Sequence, residues 1–530
     1  MSEVSTLNSK IQQLILLCDF NLHSAEDSKK HKTRKALKCF KNILSQSSSE
    51  EIKSSSELPE LIKCSLNLMQ FHVQRRRNIF VKNLFSSLIK ILIPDNIDLV
   101  IGAIMKFLDD KNLWKFNFIC CEIFNSILSC GIPPEVILDQ LLDNIDQIIR
   151  SNNLRKLHNV VDVLDSTVDN EKFKSLPSVG VQRLLQLYYL SVTVKDENYS
   201  LIQAGLEKAI KTMLSVIHTT EVMNLLPNIL HLTFNSSLSD IECREFGWNL
   251  RQGVSRLQLN QITKDLLPET LAFLLSSMQS TRAIESYLAT QYLVVLIDEY
   301  NNCEHFSSPE VFYVSTNYEI SLGLKSEIGD TRKIIENYRD LFETSIISAT
   351  KLHISEGDIS NAIYSLLCVI LVTIPCGFSV TFIVCILMNL QRHALAANRY
   401  LCLDDLHRLH AMIASIMTLI CWVTRAKTFT KYIQEVVNLR YNLAPQLNPR
   451  QHNFHHNIFQ CENEYKPNLY FDLWELRYSL WKRFRLDEKL LKDVKKTFSG
   501  FTNKHQKKKI LRKLLGKSEE KFYKISPIKK

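Results

Sequence analysis

Glycine and proline are scarce in this sequence. The 530-residue chain contains only 12 glycines and 13 prolines, which is about half of average usage or less. Turn-rich β scaffolds and phosphate-binding loops depend on glycine, because glycine adopts backbone conformations that other residues avoid. The scarcity therefore argues against such folds and favours long helices joined by short connections.

Motifs that would indicate an enzyme are also missing. The sequence contains no P-loop, no G-x-G-x-x-G and no H-E-x-x-H. Gly253, Val254 and Ser255 begin like the G-x-S-x-G turn of serine hydrolases such as lipases, but Arg256 and Leu257 follow, so the second glycine is absent. We therefore expect no enzyme activity, no small-molecule substrate and no cofactor.

No two cysteines have the C-x-x-C spacing, although the chain contains 14 of them. Most lie in apolar segments, where a free cysteine behaves as a small buried hydrophobe, and this usage is typical of a reducing compartment. Four side chains of metal-ligating type, His452, His455, His456 and Cys461, lie close together. Because no second ligand pair follows at zinc-finger spacing, we interpret them as a histidine-rich connector and expect no metal.

A long segment without charge spans residues 362–390, AIYSLLCVILVTIPCGFSVTFIVCILMNL. Its length raises the question of a membrane-spanning helix. Pro375 and Gly377 interrupt it, because proline ends a helix and glycine favours a turn. The two remaining pieces, 362–374 and 378–390, are each roughly 20 Å long at the helical rise, too short for a hydrocarbon core of about 30 Å. We therefore predict two buried helices packed as a hairpin and no membrane span.

Apolar residues recur at three- and four-residue intervals from about residue 58 onward, as in amphipathic helices. Proline-containing breaks at 94–96 and 132–134 punctuate the series. In segment 404–423 apolar residues cover most of the helix circumference, which is typical of a helix buried between neighbours. The series predicts an all-α fold, an armadillo/HEAT-like α-solenoid with degenerate repeats.

The composition also predicts three regions. Residues 1–57 hold an N-terminal helix (11–18), a basic stretch and a serine-rich linker (45–57). Residues 58–494 form the α-solenoid of stacked helical pairs, and residues 495–530 form a basic C-terminal tail.

The formal net charge of +10 is concentrated in that tail. Residues 503–530 contain 11 lysines and arginines against two glutamates, so they carry nine of the ten net charges. A second basic group lies near the N-terminus and includes Lys38, and three arginines follow at 75–77. The residues that we predict to contact an anionic surface are Lys29, Lys30, Lys32, Arg34, Lys35, Lys507, Lys508, Lys509, Arg512, Lys513 and Lys517.

Three interpretations of the basic groups stay open. They suit a solvated end of the chain, an anionic membrane surface, or nucleic acid and nuclear import. The apolar residues Leu511, Leu514, Leu515 and Phe522 lie among the charges of the tail. Because shallow apolar insertion adds to electrostatic attraction at a bilayer, we expect a membrane contact that needs anionic lipid.

Residues 429–449, FTKYIQEVVNLRYNLAPQLNP, resemble a segment of the rolling blackout family. Segments 382–395, which contains Gln391, and 408–420 resemble the two helices before it, and segments 113–146 and 287–302 resemble earlier repeats. The positions that match the family's spacing in the first segment are Phe429, Ile433, Glu435, Val436, Arg440, Ala444, Pro445 and Pro449.

The resemblance implies stacked solenoid helices and a non-enzymatic scaffold. In this family the scaffold helps recruit or retain the phosphatidylinositol 4-kinase alpha complex, with its tetratricopeptide and hyccin-like subunits, at the inner face of the plasma membrane. It therefore implies a cytoplasmic protein that is peripheral to that membrane. Family members begin with acylated cysteines, whereas the first cysteine here is Cys18. The alternative is a soluble helical-repeat adaptor of another pathway, including a nuclear one.

Overall fold

The structure is a computed structural model. It describes residues 2–18, 26–73, 79–315, 322–323, 330–397, 402–449 and 466–483. Within these ranges every regular element is a helix and no strand occurs. The prediction of an all-α fold is confirmed.

The described residues form 22 α-helices, and five short 3-10 helices lie at 171–175, 259–261, 302–306, 445–447 and 467–469. The α-helices are α1 (Ser2–Cys18), α2 (Glu26–Gln46), α3 (Ser49–Lys53), α4 (Leu58–Val73), α5 (Ile79–Asp110), α6 (Asn117–Ser129), α7 (Pro134–Ser151), α8 (Leu154–Val168), α9 (Ser178–Thr193), α10 (Glu197–Val216), α11 (Thr219–Thr233), α12 (Asp240–Val254), α13 (Leu266–Ser277), α14 (Ala283–Ile297), α15 (Pro309–Ser315), α16 (Asp330–Asn337), α17 (Arg339–Leu352), α18 (Gly357–Thr373), α19 (Gly377–Ala397), α20 (Leu403–Thr424), α21 (Lys427–Leu443) and α22 (Leu473–Arg483).

The chain divides into two compact units, residues 1–253 and 254–530. In the middle of the first unit, helices pack against helices one and two places away in the chain: α8 contacts α6, α7 and α10, and α9 contacts α7, α10 and α11. Helices α8 and α10 approach closely at Gly205, where a Cβ atom would lie 2.5 Å from Val161 Cγ1. This succession, in which each helix covers part of the previous one, is the packing of an α-solenoid.

The second unit contains helices that are covered on most sides. Helix α18 contacts α14, α17, α19 and α20, and every residue from Ala362 to Thr373 is buried. The hydroxyl groups of Tyr364 and Ser415 lie 3.0 Å apart, and Ser415 also donates to the carbonyl oxygen of Pro309 at 3.0 Å. Side-chain hydrogen bonds therefore tie α18, α20 and the start of α15 together inside the unit.

The uncharged segment 362–390 forms parts of two helices. Helix α18 ends at Thr373 and α19 begins at Gly377, so the predicted break around Pro375 is confirmed. Two helices are long and apolar enough to cross a membrane by length and composition, at Gly377–Ala396 and Leu403–Thr424, but 67% and 72% of these windows are buried inside the fold. The prediction of buried helices is confirmed, although α18 packs chiefly against α14 and α20.

The proline-containing breaks also appear where the sequence predicts them. Helix α5 is kinked at Asn96, whose φ of −134° and ψ of 34° are not helical. Pro134 is the first residue of α7, where its missing N–H costs no hydrogen bond. Gly131, between α6 and α7, has a φ of +100°, a conformation that favours glycine.

The serine-rich segment 45–57 is more ordered than a linker. Ser48 and Glu51 form a reciprocal pair of hydrogen bonds, 2.8 Å from Ser48 N to the Glu51 carboxylate and 3.3 Å from Glu51 N to Ser48 Oγ. This capping box starts helix α3, and Ile52 is buried. Helix α1 likewise begins at Ser2 and not at residue 11. The boundaries at 57/58 and 494/495 stay predictions.

All 13 cysteines in the described part of the chain are free thiols, and six of them are buried. Cys120 is fully buried, and burial raises the pKa of its thiol to about 12. A thiol of this kind stays protonated and packs as an apolar side chain.

Candidate membrane-contacting surface

Helix α2 carries the N-terminal basic group and has two distinct faces. Thr33, Ala36, Phe40 and Ile43 are buried, at intervals of three and four residues that place them on one side of a helix. A cationic stripe of Arg34, Lys35, Lys38 and Lys41 is exposed on another side of the helix.

The structure describes only part of the predicted contact set. Arg34 and Lys35 are exposed and Lys32 is half-buried. Lys29 and Lys30 lie within the helical range of α2, but their side chains lie outside the described residues. The tail residues Lys507, Lys508, Lys509, Arg512, Lys513 and Lys517 lie outside them entirely, as do Arg75, Arg76 and Arg77.

Helices α1 and α4 run side by side in the same direction. Ser55, just before α4, donates to the side chain of Asn8 near the start of α1 at 2.9 Å. Cys18, the last residue of α1, lies 3.9 Å from the carbonyl oxygen of Cys64 in the middle of α4. The end of α1 and the second half of α4 therefore lie toward the same end of the first unit.

Helix α2 runs in the opposite direction to α1. Cys39 Sγ lies 3.7 Å from the carbonyl oxygen of Lys10, and Lys10 Nζ donates to Gln46 at 3.1 Å. The C-terminal half of α2 is therefore beside the start of α1. Its N-terminal half, which carries Arg34 and Lys35 of the basic stripe, lies near the end of α1.

Helix α5 runs back along α4, and its first residues lie at the same end of the first unit as the end of α1. Lys53, before α4, pairs with Asp95 of α5 at 2.5 Å, and α4 and α5 pack together. The first half of α5 is consequently antiparallel to α4, which places Ile79 beside Val73. We call this end of the first unit, formed by the N-terminal half of α2 with the adjoining ends of α1, α4 and α5, the basic end.

Large apolar side chains are exposed at the basic end. Leu16 of α1 is 74% exposed, and Ile79 and Phe80 at the start of α5 are 75% and 50% exposed. The sequence analysis did not select them, because single apolar residues beside charges look the same in any amphipathic helix. One signal was present: Ile79 and Phe80 follow the three arginines at 75–77 almost directly.

Some cations of the first unit are held in ion pairs. Arg183 is one, because its guanidinium lies 2.6 Å and 2.8 Å from the carboxylates of Asp143 and Asp146. Among the residues that the structure describes, Arg34 and Lys35 have no ion-pair partner. Their positive charge is therefore directed to solvent, where an anionic surface can meet it.

Alternative kinds of site have no support in the described residues. No group of three or more metal-ligating side chains occurs there, and His452, His455, His456 and Cys461 lie outside them. Gly253 is the next-to-last residue of α12, where a Cβ atom would lie 2.8 Å from Leu214 Cδ1. The glycine of the apparent G-x-S motif thus permits close helix packing and does not form a strand-to-helix nucleophile turn.

The positions that carry the family resemblance stabilise the packing of helices and the turns between them. Phe429, Ile433, Val436 and Arg440 are the buried residues of α21. In segment 287–302, the Asp298 carboxylate accepts hydrogen bonds from the backbone N–H groups of Asn302 and Cys303 at 2.9 Å and 2.7 Å, which closes the turn after α14. The resemblance therefore rests on helix packing and on the turns between helices.

Stacked helices, with no strand in the described ranges, define a helical-repeat scaffold of the armadillo type. The chain belongs to the EFR3 family, known also as rolling blackout, because residues 7–491 match the family described as "EFR3, armadillo repeat". The sequence-based assignment of fold and family is confirmed.

Other comparisons give more distant likenesses. A comparison with curated proteins gave no significant match. Among solved structures, the chain is similar to the karyopherin Kap121p bound to the SUMO protease Ulp1p, with 12% identity, a TM-score of 0.34, and coverage of 82% of this chain and 43% of the karyopherin. It is also similar to SYS-1, with 11% identity, a TM-score of 0.25, and coverage of 97% and 99%. The chain spans less than half of the length of that karyopherin.

Proposed function

We propose that this protein is a non-enzymatic scaffold that helps recruit or retain a phosphatidylinositol 4-kinase complex at the inner face of the plasma membrane. Membership of the EFR3 family supports the scaffold class. The observation that carries the membrane part is the basic end, where exposed cations of α2 and exposed apolar side chains of α1 and α5 lie together.

Each component of the basic end suits a bilayer surface. A lysine or arginine near an anionic leaflet contributes about 1 kcal/mol of attraction, which falls off within a Debye length of roughly 8 Å. Apolar side chains inserted into the headgroup region add a contribution that salt does not screen. Residues 503–530 of the C-terminal tail supply nine further net charges, so we propose the tail as the second contact.

The proposed partners are the kinase and its tetratricopeptide and hyccin-like subunits. The test is a pull-down from cell lysate with the full chain, followed by identification of the recovered proteins. Recovery of the kinase and its subunits would support the proposal. Recovery of chromatin or import factors in their place would overturn it and favour the soluble adaptor.

Liposome binding tests the membrane contact directly. The full chain is mixed with phosphatidylcholine vesicles that contain or lack phosphatidylserine, and the bound fraction is measured after sedimentation. Replacing Arg34, Lys35 and Lys38 by Ala should weaken binding to phosphatidylserine vesicles by about 3 kcal/mol, on the order of a hundredfold. Deleting residues 503–530 should remove most of the binding.

A matched control distinguishes surface location from net charge. Lys172, Lys174 and Lys195 are exposed elsewhere in the first unit, and their replacement by Ala removes the same charge. The double variant Ile79→Ser and Phe80→Ser should weaken binding without changing its salt dependence, because apolar insertion is not screened. If the triple variant of Arg34, Lys35 and Lys38 and the triple variant of Lys172, Lys174 and Lys195 lose the same amount of liposome binding, the basic end has no special role.

A further inference from the structure

The second unit holds one of its own segments through main-chain atoms. Residues 467–472 follow the undescribed stretch 450–465 and lead into α22. Leu469 and Phe471 are 0% and 2% exposed, whereas the adjacent Asp472 is exposed. We call residues 467–472 the strap, because they lie across the C-terminal parts of α19 and α21.

Gln391 of α19 binds both main-chain groups of one strap residue, Phe471. Its Nε2 donates to the carbonyl oxygen of Phe471 at 2.8 Å, and its Oε1 accepts from the Phe471 N–H at 3.0 Å. Gln391 is only 4% exposed. An amide side chain that pairs with both main-chain groups of one residue reproduces the contact that a neighbouring β-strand would make.

Arg440 of α21 binds the strap at Leu469, two residues before Phe471. Its Nε donates to the carbonyl oxygen of Leu469 at 2.6 Å, and its guanidinium lies 4.6 Å from the centre of the Phe471 ring. A second guanidinium nitrogen donates to the carbonyl oxygen of Leu447 at 3.0 Å. Arg440 is completely buried, so these carbonyl oxygens replace water that the charge would otherwise bind.

Tyr432, which is also on α21, makes a further hydrogen bond to the strap. Its hydroxyl oxygen accepts the Asp472 N–H at 2.7 Å. Leu469, Phe471 and Asp472 of the strap are thus held through main-chain hydrogen bonds. The side chains of Leu469 and Phe471 are themselves buried. The recognition requires a peptide that forms a 3-10 turn at 467–469 and becomes extended at Tyr470, with two apolar anchors two residues apart. It uses no covalent feature of the connection to α21.

We propose that Gln391, Tyr432 and Arg440 form a peptide-binding site whose occupant is the strap, and that this occupant is exchangeable with a separate peptide of the same sequence. The site fixes the point at which α22 begins, and α22 itself packs against α21. An empty site would leave the Arg440 guanidinium buried without the carbonyl oxygen of Leu469, which is unfavourable, and this favours an occupied site at equilibrium.

The test cleaves the chain between α21 and the strap and measures whether the strap stays bound. A protease-recognition sequence is inserted within residues 451–465 of the full chain, the purified protein is cleaved, and the fragment that begins before Lys466 is followed by size-exclusion chromatography. We expect the fragment to stay with the body. A labelled fragment should then be displaced by an excess of the synthetic peptide 466–483.

Substitutions test whether this site retains the cleaved fragment. Gln391→Glu keeps the shape of the side chain but removes the donor to Phe471, and it should release the fragment roughly tenfold faster or more. Arg392→Ala is the matched control, because Arg392 is the next residue and is exposed. Circular dichroism and thermal unfolding of each uncut variant confirm that the body is folded.

Two results would overturn the proposal. Equal release rates for Gln391→Glu and Arg392→Ala would show that main-chain recognition by Gln391 does not hold the strap. Failure of the excess peptide to displace the labelled fragment from a folded body would show that the strap is a fixed part of the core and not an exchangeable ligand.

Discussion

Helix α8 of the first unit and helix α18 of the second bury their residues in different patterns. In α8 the exposed positions are Arg155, His158, Asp162 and Ser166, which form one stripe at intervals of three and four residues. In α18 no residue from 362 to 373 is exposed. A helix in a two-layer stack needs one apolar face, whereas a helix with neighbours on four sides needs apolar residues all round.

The two units also treat charge differently. Asp165 in α8 is 8% exposed, but its partner Lys208 is exposed at the surface. Asp165 accepts from Lys208 Nζ at 2.5 Å and from Thr212 at 3.2 Å. Arg440 in the second unit is completely buried and donates to the carbonyl oxygens of Leu469 and Leu447. Ion pairs at a surface contribute little to stability, while a buried charge is costly to leave without partners. Polar substitutions should therefore have larger effects in the second unit.

The largest expected effect comes from placing a charge in α18. Val369 is 0% exposed, and Val369→Lys would bury an ammonium group among apolar side chains. We expect the free energy of unfolding to fall by more than about 4 kcal/mol, seen in urea denaturation or as loss of folded protein. His158→Lys on the exposed stripe of α8 is the control, and it should change stability by less than about 0.5 kcal/mol. Similar unfolding midpoints for both variants would contradict the difference between the helices.

A smaller effect should come from a single methyl group between α8 and α10. A Cβ atom at Gly205 would lie 2.5 Å from Val161 Cγ1, so Gly205→Ala should destabilise the protein by about 1–3 kcal/mol through overpacking. Gly102 in α5 has no atom within 4 Å of its would-be Cβ. Gly102→Ala should therefore stabilise the helix by up to about 1 kcal/mol. Thermal unfolding of both variants measures the contrast, and two changes of the same sign would show that α8 and α10 are not in tight contact.

The smallest predicted effect depends on pH. Burial, with a contribution from the nearby Arg440 and His407, lowers the pKa of His410 in α20 to about 3. The unfolded chain binds a proton at this residue below about pH 6.5 and the folded chain does not. Stability is therefore complete above about pH 6.5 and is lost as the pH falls toward 3.

The measurement compares urea unfolding at pH 7.5 and pH 5.5. Between these values His410 should account for about 1.4 kcal/mol of lost stability, and His410→Phe, which keeps a ring without a titratable group, should lose that much less than the unsubstituted chain. His158→Gln controls for the removal of an exposed histidine. If His410→Phe and the unsubstituted chain lose the same amount, the histidine is not buried in the neutral form.

Local features of the fold could be predicted because they depend on neighbouring residues in the chain. The end of α18 at Thr373 and the start of α19 at Gly377 follow from Pro375, which cannot continue a helix. The burial of α18 around its whole circumference follows from its apolar composition. The cationic stripe of α2 follows in the same way from the spacing of its lysines and arginine.

Other local features misled the prediction. Serines 47 to 49 and 54 to 56 suggested a linker, because serine favours loops. Helix α3 forms there nonetheless, because the capping box of Ser48 and Glu51 satisfies its first N–H groups and because Ile52 is buried by the surrounding helices. The side-chain contact was visible in the sequence as S-x-x-E, but the burial was not.

The sequence by itself determined the helical class, the position of the main breaks and the sign of the charge on α2 and the tail, since these depend on residue type and short-range spacing. Only the tertiary structure decided which distant residues meet. Ile79 and Phe80 join the stripe of α2 because α5 turns back along α4. Arg440 meets the carbonyl oxygen of Leu469, 29 residues away, because packing of α19 and α21 creates a buried site that no local pattern encodes.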